Sequence, residues 1–587
     1  MANETKTPDK LTLVYELARR RGFFWPSYEI YGGASGFFTY GPLGAKLKQN
    51  IENKLRKIFV NKLGIQEIES PIIAPSQVFE ASGHVTHFKE PMVECQKCNK
   101  KFRADHLLRE LANISETEAE KLSLKELKEA FEKHEVHCPE CKGTFSEPKQ
   151  FFTMFQTTIG PYSNATGYGR PEAAQGIFTE FNRLYTIARE KLPFGVLQIG
   201  HALRNEISPR QGLMRLREFT IADLEFFYDP EQPDCHVLKD IENEKLRLLL
   251  IETRQKDSEE LTEVTVKEAL QKGYIKSEWA ATFMALAKHL LVDLGVPAEK
   301  QRFIEKFPWE RAHYSLQSFD QEIQLDRWGW TEVSGHANRS DYDLKSHMQS
   351  TGTDMAVFKE HDKPIEKEQI IIKPNMATLG PAFKKEAQKV ADLLSKANPQ
   401  EMEEAFKKKG HFKLGEYEIQ PEHAYIDREK TVERGRRFIP HVVEPSFGSD
   451  RLFHVALEYA YHVKEDRVIL AFPRDIAPIQ IGVYPLVSKD GQPEKTLEMR
   501  KTLIDEGFTV EYDEAGSIGR RYARADEIGI PLGITVDYDT LKDNTVTIRD
   551  RDSWKQVRTK IDGLPRLLRE YFQLKANFED LGTPIET

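Results

Sequence analysis

The sequence predicts a mixed α/β (α+β) protein of several domains. Three observations carry that reading. Residues 201–227, HALRNEISPRQGLMRLREFTIADLEFF, hold two runs rich in β-branched and aromatic residues around a polar connection bearing Ser208, Pro209 and Gly212. That is the pattern of two antiparallel strands. Two Cys-x-x-Cys pairs, Cys95/Cys98 and Cys138/Cys141, bracket a charged helical stretch. From about residue 466 strand and helix patterns alternate, which implies a mixed sheet with helices packed on it.

At 587 residues the chain is long enough for more than one domain, each with an ample core. Hydrophobic residues make up 39% and charged residues 30%, a globular balance. No apolar run approaches the roughly 20 residues that span a bilayer. The start, MANETKTPDK, has neither an apolar signal core nor an Arg-rich presequence, so a cytoplasmic protein without membrane association is expected. With a net charge of −9, any nucleic-acid partner must be met by local basic patches. Five cysteines in so long a chain exclude a disulfide scaffold.

Taken in order, residues 11–21 (LTLVYELARRR) place Leu13, Leu17 and Ala18 at helical spacing. The run FFWPSYEIYGGASGFFTYGPLG, ending at Gly44, reads as short strands and tight turns. Residues 46–62 form a helix with Leu47, Ile51, Leu55, Ile58 and Phe59 on one face, leading into an apolar strand interrupted at Pro71. Each Cys-x-x-Cys turn presents two thiolates to one side of a metal, and two turns complete a tetrahedron. Four thiolates leave no open coordination position, so Cys95, Cys98, Cys138 and Cys141 are expected to hold a structural Zn²⁺. Residues 231–320 read as an insertion dominated by polar-faced helices, and residues 357–430, charged and mixed in type, as a second insertion. Residues 440–460 (PHVVEPSFGSDRLFHVALEYA) follow as strand, turn and helix, with Gly448 at the turn. Arg451 then lies in the first helical turn, against the usual dipole preference.

Alternation along the hairpin puts Arg204 and Glu206 on one face of its first strand, and Phe219, Asp223 and Glu225 on one face of its second. Guanidinium forks, carboxylates and an aromatic ring on a sheet suit a nucleoside triphosphate, since arginines neutralise phosphate bidentately and the ring stacks on a purine. An exposed hairpin with ordinary surface ion pairs carries the same residues.

A resemblance separates the two. Arg204-Asn205-Glu206, the loop, and Arg215-x-x-x-Phe219 resemble motif 2 of the class II aminoacyl-tRNA synthetases, and the wording RNEISPR and REFT resembles the dimeric glycyl branch. Tyr31-Gly32-Gly33 and Tyr40-Gly41-Pro42-Leu43-Gly44 resemble that branch's N-terminal segment, and the helix and Pro71 strand its motif 1, the homodimer interface. Residues 170–178, RPEAAQGIF, are similar to its RPETAQGIF segment, and residues 328–344 to part of its catalytic sheet. Glu444-Pro445-Ser446 resembles its signature, and Gly448-x-x-Arg451 resembles motif 3. Residues 466–587 resemble the anticodon-binding domain shared by glycyl, threonyl, prolyl and histidyl synthetases. The motifs stand in the family's order.

The resemblance implies a class II antiparallel-sheet catalytic domain flanked by helices, over residues 1–94, 151–230, 321–356 and 431–465. A zinc-binding insertion at 95–150 and the two later insertions interrupt it, and residues 466–587 bind the anticodon. The implied reaction joins glycine to ATP as glycyl-adenylate, then transfers it to the 3′ end of tRNA(Gly). The attacking carboxylate is already ionised near pH 7, so positioning and charge stabilisation suffice.

By the same resemblance Arg204 and Arg451 are the catalytic residues. Arg204 holds the α-phosphate, Arg451 with Arg215 the β/γ end, and Arg339 a further phosphate. Phe219 stacks on adenine, Glu206 reads its amine, and Mg²⁺ bridges the phosphates. Glu172, Asp223, Glu444 and Ser446 hold glycine, with Asp223 standing where glutamate is usual and Ala173 where threonine is. Excluding a Cβ by packing is worth about 1–3 kcal/mol. Arg520, Arg521 and Arg524 form a candidate tRNA patch, or a solvated helix face. Two rivals are another class II synthetase, for threonine, proline or histidine, and a nucleic-acid-binding subunit without the chemistry. The Glu-Pro-Ser string argues against the first, and the retained Arg204, Arg215, Arg339 and Arg451 against the second.

Overall fold

The computed structural model describes residues 8–585 apart from residues 113, 115, 120, 162–164 and 210. It divides into two compact units, Met1–Met355 with Pro440–Thr587, and Ala356–Ile439. Among the described residues the first unit is built on a nine-stranded sheet. Its strands are β1 (Gln66–Glu67), β2 (Phe194–Leu203), β3 (Glu218–Tyr228), β4 (Lys245–Leu249), β5 (Thr262–Thr265), β6 (Gln301–Glu305), β7 (Gln317–Leu325), β8 (Gly329–Ser340) and β9 (His441–Gly448). The order is β5-β4-β6-β7-β8-β9-β3-β2-β1. Neighbours run antiparallel except β4 with β6 and β2 with β1. The last of these nine strands in sequence, β9, thus lies between β3 and β8 and brings residues from distant segments into one row.

Alternation in β3 explains how one strand serves core and site together. Ala222, Leu224 and Phe226 join the main core, where Phe226 packs on Trp279 and Phe283. Phe219, Ile221, Asp223, Glu225 and Phe227 alternate with them and face the other side. The helices that matter are α1 (Lys10–Arg21), α2 (Pro42–Leu55), α3 (Ala174–Phe178), α4 (Glu278–Asp293), α5 (Tyr342–Thr351) and α6 (Ser449–Ala460). Ser277 caps α4 by accepting from the Ala280 amide. Its Trp279, Phe283 and Leu290 are buried, each contributing roughly 1.5–3 kcal/mol by removal from water.

This corrects one part of the expectation for residues 231–320, the polar faces of their helices. These residues supply β4, β5, β6 and part of β7, and their long helix α4 is apolar on most faces rather than polar-faced. The segment extends one side of the sheet.

The cysteine module carries its own small core of Leu107, Leu108, Leu127 and Phe131. At the C-terminal end, β10 (Ile481–Pro485), β11 (Val510–Tyr512), β12 (Leu532–Val536), β13 (Thr545–Asp550), β14 (Gln556–Lys560) and β15 (Thr583–Pro584) form a second sheet, in the order β11-β10-β12-β13-β14-β15. β10 pairs in parallel with β11 and β12, and the remaining pairs are antiparallel. This sheet encloses a separate core around Ile481, Leu532 and Leu568. The second unit, Ala356–Ile439, is a long hairpin of Val357–Pro374 and Ala424–Phe438, with helices packed around Leu379, Val390 and Met402. No described helix is long and apolar enough to cross a membrane.

Candidate active site

The hairpin β2–β3 is antiparallel, pairing Leu203 with Glu218. β2 ends at Leu203, so Arg204 and Glu206 stand past the strand rather than on its face. That stretch is fixed by backbone bonds, Arg204 N–H to Arg217 O at 2.9 Å and Asn205 N–H to Thr153 O at 2.7 Å. Arg204 donates from Nε to the Pro171 carbonyl at 3.1 Å and lies over the Phe219 ring at 5.3 Å. Its remaining guanidinium nitrogens face a cleft.

That cleft, about 500 Å³, is walled by Arg103, Arg204, Arg215, Arg451 and Lys89, with Glu90, Glu206 and Glu332 among them. A narrower cavity of about 150 Å³ continues inward over the sheet to Phe219, Gly335, Ser446 and Gly448. A Cβ built on Gly335 would meet nothing within 4 Å, so the floor stays open because that residue is glycine. Arg215 Nε donates to Glu206 at 2.6 Å, and Arg451 donates to the carbonyls of Met214 and Glu332. Both arginines remain partly exposed. Ahead of Arg451, Asp450 accepts from the Thr220 amide at 2.6 Å and from Lys48 of α2 at 2.8 Å, locking α6 to β3. The α6 N-terminus therefore holds an acidic anchor inside and an arginine in the cleft.

Deeper along the sheet lies a buried cluster of charged side chains. Asp223 is opposite Ser446, and Ser446 is opposite Gly335. Asp223 accepts from Ser446 Oγ at 2.5 Å and from the Ala173 amide at 2.6 Å. Both its oxygens are thus used to orient the segment around Ala173 and the serine, and the short side chain fits that task. Glu172 faces His84 and Arg339, each at 3.3 Å, and accepts from Gln175 at 3.0 Å. Glu444 accepts from Arg339 at 2.8 Å.

Arg339 departs from expectation. Its side chain is completely buried, donating to Asp343, Glu444 and Glu172, with the Tyr314 ring 3.7 Å from its guanidinium carbon. It does not line the arginine cleft. Its donors are consumed by carboxylates because burial demands pairing. The structure makes it the counter-charge of the inner pocket rather than a phosphate contact.

The electrostatics of the two regions differ accordingly. Burial alone would raise Glu172, but Arg339 and His84 outweigh it and hold its carboxyl well below the usual range. Burial dominates at Glu444, where nearby Glu172 and Asp223 add to it, and pushes the carboxyl up to about 8. Burial and the charge of Glu172 likewise raise Asp223.

The four cysteines converge. Cys95 and Cys141 Sγ are 3.4 Å apart, Cys98 and Cys138 3.8 Å, and all four sulfurs lie within 4.8 Å of one another. Bonds of about 2.3 Å to a tetrahedral Zn²⁺ give sulfur separations near these values. Gly143 is required beside them, since a Cβ there would stand 2.9 Å from Cys95 Sγ.

The proposed tRNA patch does not form as expected. Arg521 is buried and donates to the carbonyls of Pro485, Glu514 and Gly516, while Arg524 pairs with Asp513. Only Arg520 of the three is exposed. Sequence reading missed Arg103 and Glu90 of the cleft wall, and His84, Tyr314 and Asp343 of the inner pocket. The Cys95 pair lies close to the first two and the tryptophan-rich segment before Arg339 contained Glu332 and preceded Asp343, but no spacing rule reached the rest.

Arginines gathered over an antiparallel sheet, beside a buried cluster of carboxylates, place the chain among the class II aminoacyl-tRNA synthetases, ATP-dependent ligases. Residues 480–571 match the family model described as "Anticodon binding domain". The chain is 46% identical to the glycine–tRNA ligase of Aeropyrum pernix, covering 98% of this chain and 99% of that protein. It is 45% identical to that of Thermococcus kodakarensis (96% and 98% covered) and 44% identical to that of Methanocaldococcus jannaschii (95% and 98%). The chain belongs to the glycine–tRNA ligase family.

Proposed function

We propose that the protein activates glycine with ATP to glycyl-adenylate and transfers glycine to the 3′ end of tRNA(Gly), releasing pyrophosphate and AMP. The observation that carries the reading is the junction of an open arginine cleft with a buried cluster of carboxylates across the row Asp223, Ser446 and Gly335. Triphosphate fits the first and a small ammonium-bearing acid the second.

Arg204, packed against Phe219, sits where the α-phosphate meets the amino acid and stabilises charge developing at phosphorus. Arg215 and Arg451 neutralise the β/γ end, Phe219 offers its ring to adenine, and Glu206 takes the amine once Arg215 turns to phosphate. Glu172 and Glu444 face the ammonium, with Ser446 held by Asp223 at the carboxylate end. The pocket's depth is closed by Arg339 and its carboxylates, so a side chain on the substrate has nowhere to go. Glu90 and Glu332 would provide oxygen ligands in the same cleft for Mg²⁺, which would supply charge neutralisation of the phosphates.

Zn²⁺ in the four-thiolate site is structural, and the C-terminal domain meets the anticodon. Exposed Ile72 and Ile73 on the Pro71 strand support a homodimer, and the protein works in the cytoplasm. ATP–pyrophosphate exchange with glycine, alanine, serine, threonine and proline offered separately tests the activity. Exchange with glycine alone is expected, and exchange with none would leave a binding subunit. Zinc analysis of Cys95→Ser tests the metal site, and unchanged zinc content would overturn it.

A further inference from the structure

The inner pocket contains a carboxyl group to which the reading above gives no task. Glu225 lies two residues along β3 from Asp223 and on the same face. The register that pairs Asp223 with Ser446 and Phe226 with Val443 sets Glu225 directly opposite Glu444 on β9. On its other side β2 offers Val196, an apolar residue. Glu225 is fully buried, and among the described residues no donor reaches either of its carboxyl oxygens. A buried carboxylate left this way is costly, and two opposed carboxyls on neighbouring strands cannot both be ionised cheaply.

The groups facing this pair come from every element around it. They are Asp223 on β3, Arg339 on β8, Asp343 on α5, Glu172 ahead of α3, and Tyr314 between β6 and β7. His84 touches Glu172, and His347 lies near Asp343 and Arg339. Among the described residues five carboxyls therefore surround Arg339, while Arg170, bonded to the His201 and Ser70 carbonyls, acts on Asp223 only through longer-range attraction. Arg339 is already engaged by Glu172, Asp343 and Glu444, which leaves Glu225 without a direct cationic partner. Burial first, and Glu444 second, hold the Glu225 carboxyl well above the usual carboxylate range.

We propose that Glu225 and Glu444 share a proton in the substrate-free protein, and that the ammonium of the incoming amino acid takes that proton's place. The ammonium keeps its own protons, and the displaced one leaves to solvent. Amino-acid binding is then coupled to proton release, with Glu225 a positioning residue that tunes the charge of Glu444. This rests on reading the pocket as the amino-acid site.

The sign follows from linkage. The free pair is protonated near neutrality and the bound pair is not, so glycine affinity rises with pH. The gain is about tenfold per pH unit until the free pair ionises. Calorimetric titration of the full-length, zinc-loaded protein with glycine, in buffers of different ionisation enthalpy at one near-neutral pH, reads the proton count directly. Release of about one proton per glycine is expected, falling close to zero in Glu225→Gln with a flattened pH dependence of Kd. Infrared difference spectra of the wild-type protein should show a protonated-carboxyl band that disappears on adding glycine. Glycine binding without proton release, or equal release from Glu225→Gln, overturns the proposal and leaves the pocket assignment standing. No glycine binding at all, together with no exchange activity, overturns both.

Discussion

Arginines of one type serve opposite ends of this site, and their surroundings decide what they do. Arg204, Arg215 and Arg451 stand around an open cleft with donors left for a ligand. Arg339 lies in the interior with its nitrogens committed to Asp343, Glu444 and Glu172. In the cleft a guanidinium is a tool held ready, and removing it should change chemistry more than fold. In the pocket it is part of the fold, because unpaired buried carboxylates cost far more than a lost surface charge.

The sharpest way to break the contrast is Arg339→Met. It leaves buried carboxyls without their cation and should lower stability by about 3–5 kcal/mol, read from urea denaturation. An unchanged midpoint would mean the carboxyls simply take up protons. Arg204→Ala and Arg451→Ala are the counterpart. Each should reduce ATP–pyrophosphate exchange by about 10²–10³-fold, the loss typical of a donor aimed at transition-state charge. Their midpoints should move by under about 1 kcal/mol, as expected for partly exposed arginines. If either cleft arginine proved as destabilising as Arg339→Met, the division of labour would fail.

Between these extremes lies Asp223, which binds no charge in the structure but fixes two donors. Asp223→Ala frees Ser446 Oγ and leaves the Ala173 amide buried without an acceptor, at about 1–3 kcal/mol. The KM for glycine should rise roughly tenfold while that for ATP stays near its original value. Equal changes in both would move Asp223 out of the amino-acid pocket.

What was legible in the sequence follows the range over which each signal acts. The cysteine set was readable because two residues of spacing define each turn, and the hairpin because alternation is local. Three of the four cleft arginines, Arg204, Arg215 and Arg451, were found through their motifs. The burial of Arg339 was not, since it is set by Glu172, Asp343 and Glu444 arriving from separate segments. β4 was hidden for another reason. Its KLRLL run sits inside a stretch whose apolar spacing also suits a helix, and only pairing with β5 and β6 decides it.

The smallest expected effect concerns the C-terminal arginines, where the same distinction between committed and free guanidinium recurs. Arg524 is held by Asp513 at 2.5 Å and by the Ala515 carbonyl at 2.6 Å, so it has little left to offer a phosphate. Arg520, one turn earlier, is exposed. Arg524→Ala should leave the KM for tRNA unchanged. Arg520→Ala should weaken tRNA by a modest factor and lower the salt dependence of binding by about one phosphate contact. A salt slope altered equally by both substitutions would mean that the Asp513 ion pair opens when RNA arrives. In that case commitment in the free protein would not predict function, and the contrast drawn between Arg339 and the cleft arginines would need the same test with ATP bound.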